Sequence, residues 1–309
     1  MPVPLARVIR SGIEESIHLG SVAVADVEGR VVVSAGEADR LTYLRSAWKP
    51  LQAAACVARI GGLHDREIAV MAGSHNAEEV HLEAVRSLLG RAGLDEGALG
   101  CPPSRPIDPE PRSESPATIL HDCSGKHAGM LLACVRAGWE TGSYLDPAHP
   151  LQREIVELTG AAAGAPVSSL GVDGCGAPAA ALPLRAIATA FARLPQELGP
   201  AATRVVEAMR AEPYLVAGRG RVCSAVMEAF PVVAKVGADG VAGASLVGRG
   251  LGIALKVDDG AGRARDAALV RALALLDVVD PSRVPAFAAP PVLGGGTPVG
   301  ELRSDFSLA

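Results

Sequence analysis

Two kinds of hydrophobic spacing divide this sequence, and where they fall limits the fold more than any other feature. Val22, Val24 and Val31–Val33 flank Asp26, Val27, Glu28 and Gly29, a pattern that predicts an antiparallel hairpin closed by a glycine turn. After Arg45 the apolar positions recur at three and four residues, predicting helices over 47–60, 77–91, 125–137, 150–160, 178–193, 201–211 and 222–230. Asn76 with Glu79 has the form of a capping box, and Ser124 suits an N-cap. From Pro231 the strand pattern returns in PVVAKVG, GVAGASLVG and LGIALKVDDG, and residues 263–278 read as an amphipathic helix. Residues 100–116 read as a proline-rich surface loop and the last nineteen residues as irregular. The order predicts an α/β (α+β) chain. Residues 1–45 and 230–309 build an antiparallel sheet with a flanking C-terminal helix, and 46–229 form an inserted helical region carrying most of the site residues.

Composition removes several classes of function. The net charge is −5, so no basic field exists to hold a phosphate backbone, and 4 Phe, 3 Tyr and 2 Trp are too few for base-stacking platforms. No nucleic-acid partner is expected. The positive mean hydropathy of +0.27 comes from scattered Ala, Val and Leu, and no 18-residue apolar run escapes a charge or a Gly/Pro break. The segment MPVPLARVIRSGIEES carries charges where a signal peptide needs its apolar stretch. The expectation is a cytoplasmic protein with no membrane partner, whose six cysteines (56, 101, 123, 134, 175 and 223) are thiols rather than a disulfide framework.

Three short constellations carry chemistry. Ser46-Ala47-Trp48-Lys49 places a serine and a lysine three apart on one helical face, where a neutral amine can act as base to the hydroxyl. Its plain alternative is a serine N-cap followed by a solvated lysine. Pro50 makes the first turn irregular, and Arg45 just ahead is either a carboxylate anchor or a surface charge. Ser74-His75-Asn76 lies at the junction before the next helix and reads alone as a capping cluster. Lys235-Val236-Gly237 sets a lysine within an apolar strand, alternatively a guard on a sheet edge. In order, S-x-x-K, S-x-N and K-x-G resemble the three-part signature of penicillin-recognising serine enzymes. Here, however, the second element follows the first by only 28 residues, and the third lacks a hydroxyl residue after its lysine.

A further group runs from His121 to Met130. Cys123 and Lys126 lie three apart at a helix N-terminus, a place that favours thiolate, and Asp173-Gly174-Cys175-Gly176 forms a glycine-rich turn. Two thiols and a nitrogen donor can hold Zn²⁺ with one position open, with His127 and His75 as alternative donors, or they are structural thiols beside polar turns.

ESIH (15–18), RSAWKPLQ (45–52), MAGSHNAE (71–78), HDCSGKHAGML (121–131), DGCG (173–176), VAGRGR (216–221) and AKVGADG (234–240) together resemble the Rhizobium etli-type L-asparaginases, class 3 or the asparaginase II family. The resemblance covers nearly the whole chain. It implies a fold similar to serine β-lactamases and serine-dependent glutaminases, and two Ser–Lys tandems, Ser46 with Lys49 and Ser74 with Lys235. It also implies a substrate site near Arg45 and Asp173, and a zinc site of Cys123, Lys126 and Cys175. Trp48 departs from the family's usual small residue, Asp122 from its usual Asn, and His75-Asn76-Ala77 from a serine-rich turn. The expected reaction is hydrolysis of L-asparagine to L-aspartate and ammonia by a homodimer. Zinc supports that reaction rather than performing the hydrolysis, and no organic cofactor is involved. The alternatives are another serine amidohydrolase acting on glutamine or a β-lactam-like amide, and a non-catalytic amino-acid-binding module.

Overall fold

Val22, Ala23, Val24 and Ala25 are all fully buried, which requires cover on both faces of their strand. In the computed structural model, which describes residues 1–107 and 115–309, that strand, Ile13–Asp26, lies inside an antiparallel sheet. Its strands run in the order Pro291–Gly294, Thr297–Arg303, Val3–Arg10, Ile13–Asp26, Leu251–Val257, Val241–Leu246 and Val232–Gly237. Val31–Ala35 also pairs with Ile13–Asp26, as the hairpin pattern predicts. Helices Leu184–Arg193 and Gly262–Leu275 pack on this sheet and supply the cover. These elements form one compact unit, Met1–Ala47 with Leu182–Arg193 and Ala229–Ala309.

The second unit comprises Trp48–Ala181 and Leu194–Glu228. At its centre is helix Ser124–Ala137, whose residues are all buried as far as Cys134. It packs on Lys49–Val57, Asp65–Met71 and Glu79–Ala92. Gly125 and Gly129, one turn apart on one face, allow the close approach: a Cβ at the first would lie 2.4 Å from the Val70 carbonyl oxygen, and at the second 2.6 Å from the Met71 side chain. Among the described residues no helix is long and apolar enough to cross a membrane.

Several local expectations are corrected. Residues 178–193 form a strand, Pro178–Pro183, followed by helix Leu184–Arg193. Pro183 pushes Leu182 to an extended backbone, and pairing with Ser169–Val172 overrides the helix propensity of three alanines. The irregular tail contains the hairpin Pro291–Gly294 and Thr297–Arg303, turned by Gly295 and Gly296. Helix Glu79–Ala92 starts after Glu78, and Asn76 does not cap it. Ser124 is the first helical residue rather than the cap. The proline-rich loop expected over 100–116 falls partly on 108–114, outside the described residues.

Candidate active site

In the helical unit, Lys49 opens helix Lys49–Val57 with Pro50 in its first turn, where the missing N–H costs nothing. Its side chain is buried, and Nζ lies 2.6 Å from the Gly73 carbonyl oxygen, 2.8 Å from Ser74 Oγ and 3.3 Å from the Asp122 carbonyl oxygen. Next to it, Trp48 donates from Nε1 to Thr159 Oγ1 at 2.7 Å, which fixes a large ring at the entry to the helix.

Ser74 is presented by an extended segment. The N–H groups of Ser74 and Asn76 donate to the carbonyls of Val216 (2.8 Å) and Ala217 (3.0 Å), while that of His75 donates the opposite way to Asp122 (3.2 Å). Side chains alternate with the backbone, so Ser74 and Asn76 share one face and His75 takes the other. The fully buried His75 accepts from the Ala77 N–H through Nδ1 at 3.1 Å. Its Nε2 lies 3.0 Å from Ser124 Oγ, whose own proton goes to the Ile119 carbonyl at 2.8 Å. Nε2 is therefore the donor, and the ring is neutral. Burial, with the neighbouring His81, holds His75 well below the usual imidazole range.

Asp122 joins this group to the sulfur cluster. Burial favours its neutral acid, but the Lys49 cation, with Nζ 3.9 Å from Oδ2, and the His121 ring, with Nδ1 3.0 Å from Oδ1, hold the carboxyl well below the usual range. His121 in turn is raised to about 9 against its burial, by Asp122 and Cys123. Cys123, Lys126 and Cys175 come together as the spacing allowed, all buried, with Lys126 Nζ 2.9 Å from Cys175 Sγ. A hydrogen bond from Cys175 pulls the Cys123 thiol well below the usual range, against its burial, and pushes Cys175 up. Burial alone would lower Lys126, but the two sulfurs hold it raised and protonated. Asp173 turns its Oδ1 back to the Gly174 N–H at 2.8 Å and adds to the negative field at Lys126. A cavity of about 450 Å³ lined by Trp139, Glu140 and His149 contains none of these residues.

The sheet unit holds the remaining candidates. Ser46 is half-buried in a 3-10 turn over Arg45–Trp48, and Arg45 enters that turn at φ 48°, its guanidinium ion-paired with Asp239. Lys235 is fully buried on Val232–Gly237, with Nζ 2.6 Å from the Val236 carbonyl oxygen. Gly237 brings the end of that strand against the serine: a Cβ there would lie 3.0 Å from Ser46 N and 3.0 Å from the Leu44 carbonyl oxygen.

The family model for L-asparaginase II matches residues 6–304. The chain belongs to the L-asparaginase II family. That membership supports an asparaginase-type amidohydrolase. Among curated proteins nothing matches. Of solved structures, Mglu in its native form is 18% identical over 82% of this chain and 63% of that one, with a TM-score of 0.47. A β-lactamase from Mycobacterium bovis is 14% identical over 82% of this chain and 94% of that one, with a TM-score of 0.37. The asparaginase II chain spans about three fifths of the length of the Mglu chains it matches.

The donor chemistry of the sulfur cluster fits zinc. Two thiols and one amine converge, and Lys126, held as an ammonium by the two sulfurs, would ligate the ion only on giving up its proton, which the ion's own charge would then replace. His121, Asp122 and Cys123 also offer ligand atoms within 4.8 Å of one another. Reading the sequence for nucleophiles and ligands missed Asn76, Glu78 and Arg221, which join in a network beside Ser74. The only local signal for them is the S-x-N spacing, which places Asn76 on the serine's face once the segment is extended.

Proposed function

We propose that this chain is an L-asparaginase that hydrolyses L-asparagine to L-aspartate and ammonia through Ser–Lys chemistry. The observation that carries the reading is the buried contact between Lys49 Nζ and Ser74 Oγ at 2.8 Å, in a chain that belongs to the family over nearly its whole length. Ser46 attacks the side-chain amide carbon, and Lys49 accepts the hydroxyl proton once it has given up to solvent the proton it holds beside Asp122. Ser74, partnered by Lys235, passes a proton to the departing ammonia and then helps take one from the water that cleaves the acyl-enzyme. Backbone N–H groups at the Ser46 turn face the developing oxyanion. Asp173 holds the α-ammonium and Arg45 contributes to holding the α-carboxylate. Cys123, Lys126 and Cys175 would hold a zinc ion, which when bound supplies fixed positive charge and ties the turns around 123 and 175 together. The same reading takes the fold as serine β-lactamase and glutaminase-like, and the protein as a cytoplasmic homodimer.

The test is ammonia release from L-asparagine by wild type, Ser46→Ala and Lys49→Met, with L-glutamine and nitrocefin run in parallel. Asparagine turnover that falls by about 10³-fold or more in both variants supports the reading. Turnover of glutamine or nitrocefin alone keeps the chemistry and removes the substrate. If no amide is turned over while L-aspartate still binds, the chain is a binding module.

A further inference from the structure

Arg221 opens helix Val222–Ala229 with a half-buried side chain. Its Nη1 donates to Asn76 Oδ1 at 3.0 Å, and among the described residues it forms no ion pair. Several other arginines of the same unit do, Arg59 with Glu154, Arg86 with Glu79 and Glu96, Arg91 with Glu67, and Arg204 with Asp65. Arg136, Arg153 and Arg210, which form none among the described residues, are exposed. Among the described residues Arg221 thus has five N–H donors in a planar fork, a neutral amide as its acceptor and no carboxylate within ion-pair distance.

That amide is fixed in place. Asn76 is fully buried, and its Nδ2 donates to the Arg219 carbonyl at 2.9 Å and to Glu78 Oε1 at 3.3 Å. With both N–H groups used there, the oxygen is turned to Arg221. Glu78 is itself held, accepting from Tyr214 Oη at 2.6 Å and from the Arg219 N–H at 3.3 Å. Because Asn76 and Ser74 share a face of the extended segment, the guanidinium is anchored on the side where Ser74 displays its hydroxyl.

We propose that Arg221 is a substrate-binding residue that takes the α-carboxylate of a free amino acid, aimed at it by Asn76. This rests on the amidohydrolase reading above. Arg45 is already ion-paired with Asp239, whereas the fork of Arg221 has room for a second, anionic acceptor. A carboxylate fits that fork with two parallel hydrogen bonds.

The experiment measures kcat and KM for L-asparagine in wild type, Arg221→Met and Arg221→Lys, with competition by 3-aminopropanamide, which is asparagine without its α-carboxylate. Losing a charged hydrogen-bonding partner raises KM by about 10- to 100-fold in Arg221→Met while kcat stays within a few-fold. Arg221→Lys, which keeps the charge without the fork, lies between. Competition by 3-aminopropanamide is equal in all three, because that ligand offers the guanidinium nothing, and this equality also shows that the variants keep a folded site. An unchanged KM in Arg221→Met, or 3-aminopropanamide binding that falls in step with asparagine, overturns the proposal while asparagine turnover by wild type leaves the function standing. A wild type that turns over no amino-acid amide overturns both.

Discussion

Lowering the pH from 7.5 to 5.5 should destabilise the helical unit through His75, and the size of the effect follows from its surroundings. The ring is fully buried, accepts from the Ala77 N–H and donates to Ser124, so neither nitrogen is free to receive a proton. Its folded pKa is therefore depressed by burial, with His81 adding to the effect. In the unfolded chain the imidazole titrates near the ordinary value of about 6.5, so as pH falls the unfolded state binds a proton that the folded state refuses. Stability is full above that value and is lost below it. Between pH 7.5 and 5.5 one such histidine costs about 1.4 kcal/mol. His127, also buried and depressed, adds a loss of the same sign. His121, raised to about 9, acts in the opposite sense within the same window and by a similar amount, and it is common to wild type and variant, so the comparison with His75→Gln removes it. Both tryptophans, Trp48 and Trp139, lie in the helical unit, so urea unfolding followed by tryptophan fluorescence reports on the part that contains His75. At a urea slope of about 2 kcal/mol/M, His75→Gln should remove about 0.7 M of the wild-type midpoint shift between the two pH values. The comparison is of shifts, so the variant's own loss of a hydrogen bond does not enter. An identical shift in wild type and variant would refute the neutral, locked imidazole.

Gly237→Ala should lower asparagine turnover with little change in KM, because its Cβ would press on the Ser46 amide and the Leu44 carbonyl at 3.0 Å; steady-state kinetics would check this, and unchanged kcat would contradict it. Cys123→Ser should reduce zinc bound per chain, measured by metal analysis after zinc loading and dialysis, and should weaken turnover without abolishing it. Chelation that abolishes turnover outright would point instead to a metal-bound hydroxide as nucleophile. Gly125→Ala should cost several kcal/mol or prevent folding, since its Cβ would lie 2.4 Å from the Val70 carbonyl oxygen; an unchanged urea midpoint would show that the two helices can separate at little cost.

What could be read from the sequence was what depends on near neighbours. The three strands after Pro231 and the hairpin around Gly29 announce themselves because alternation and a glycine turn lie within a few residues of each other. Cys123 and Lys126 are one helical turn apart, so spacing alone puts them within reach, whereas the hydroxyl that Lys49 meets is that of Ser74, 25 residues on. The strand Val3–Arg10 and the C-terminal hairpin escaped because their half-exposed positions carry prolines and charges in place of clean alternation. Residues 178–183 are helical or extended according to whether a partner strand exists, and that partner, Ser169–Val172, is itself a weak signal.

The site divides along the same line, and the division has a chemical reason. Groups that exchange protons or bind metal must sit within a few ångströms of each other, and helical spacing is a short way to arrange that. Groups that orient them can come from anywhere the fold brings close. Lys49 meets Ser74 across 25 residues of sequence, the Ser74 and Asn76 N–H groups are held by the carbonyls of Val216 and Ala217, and Arg221 meets Asn76 across 145 residues. Glycine and arginine alternating in VAGRGR reveal nothing by themselves. The segment acquires a role when the buried Asn76 amide, held by Glu78, turns its oxygen toward the one half-buried guanidinium in that network. A substitution at Asn76 or Glu78 should therefore act on substrate binding through Arg221 while leaving Lys49 and Ser74 in contact, a split that no local motif anticipates.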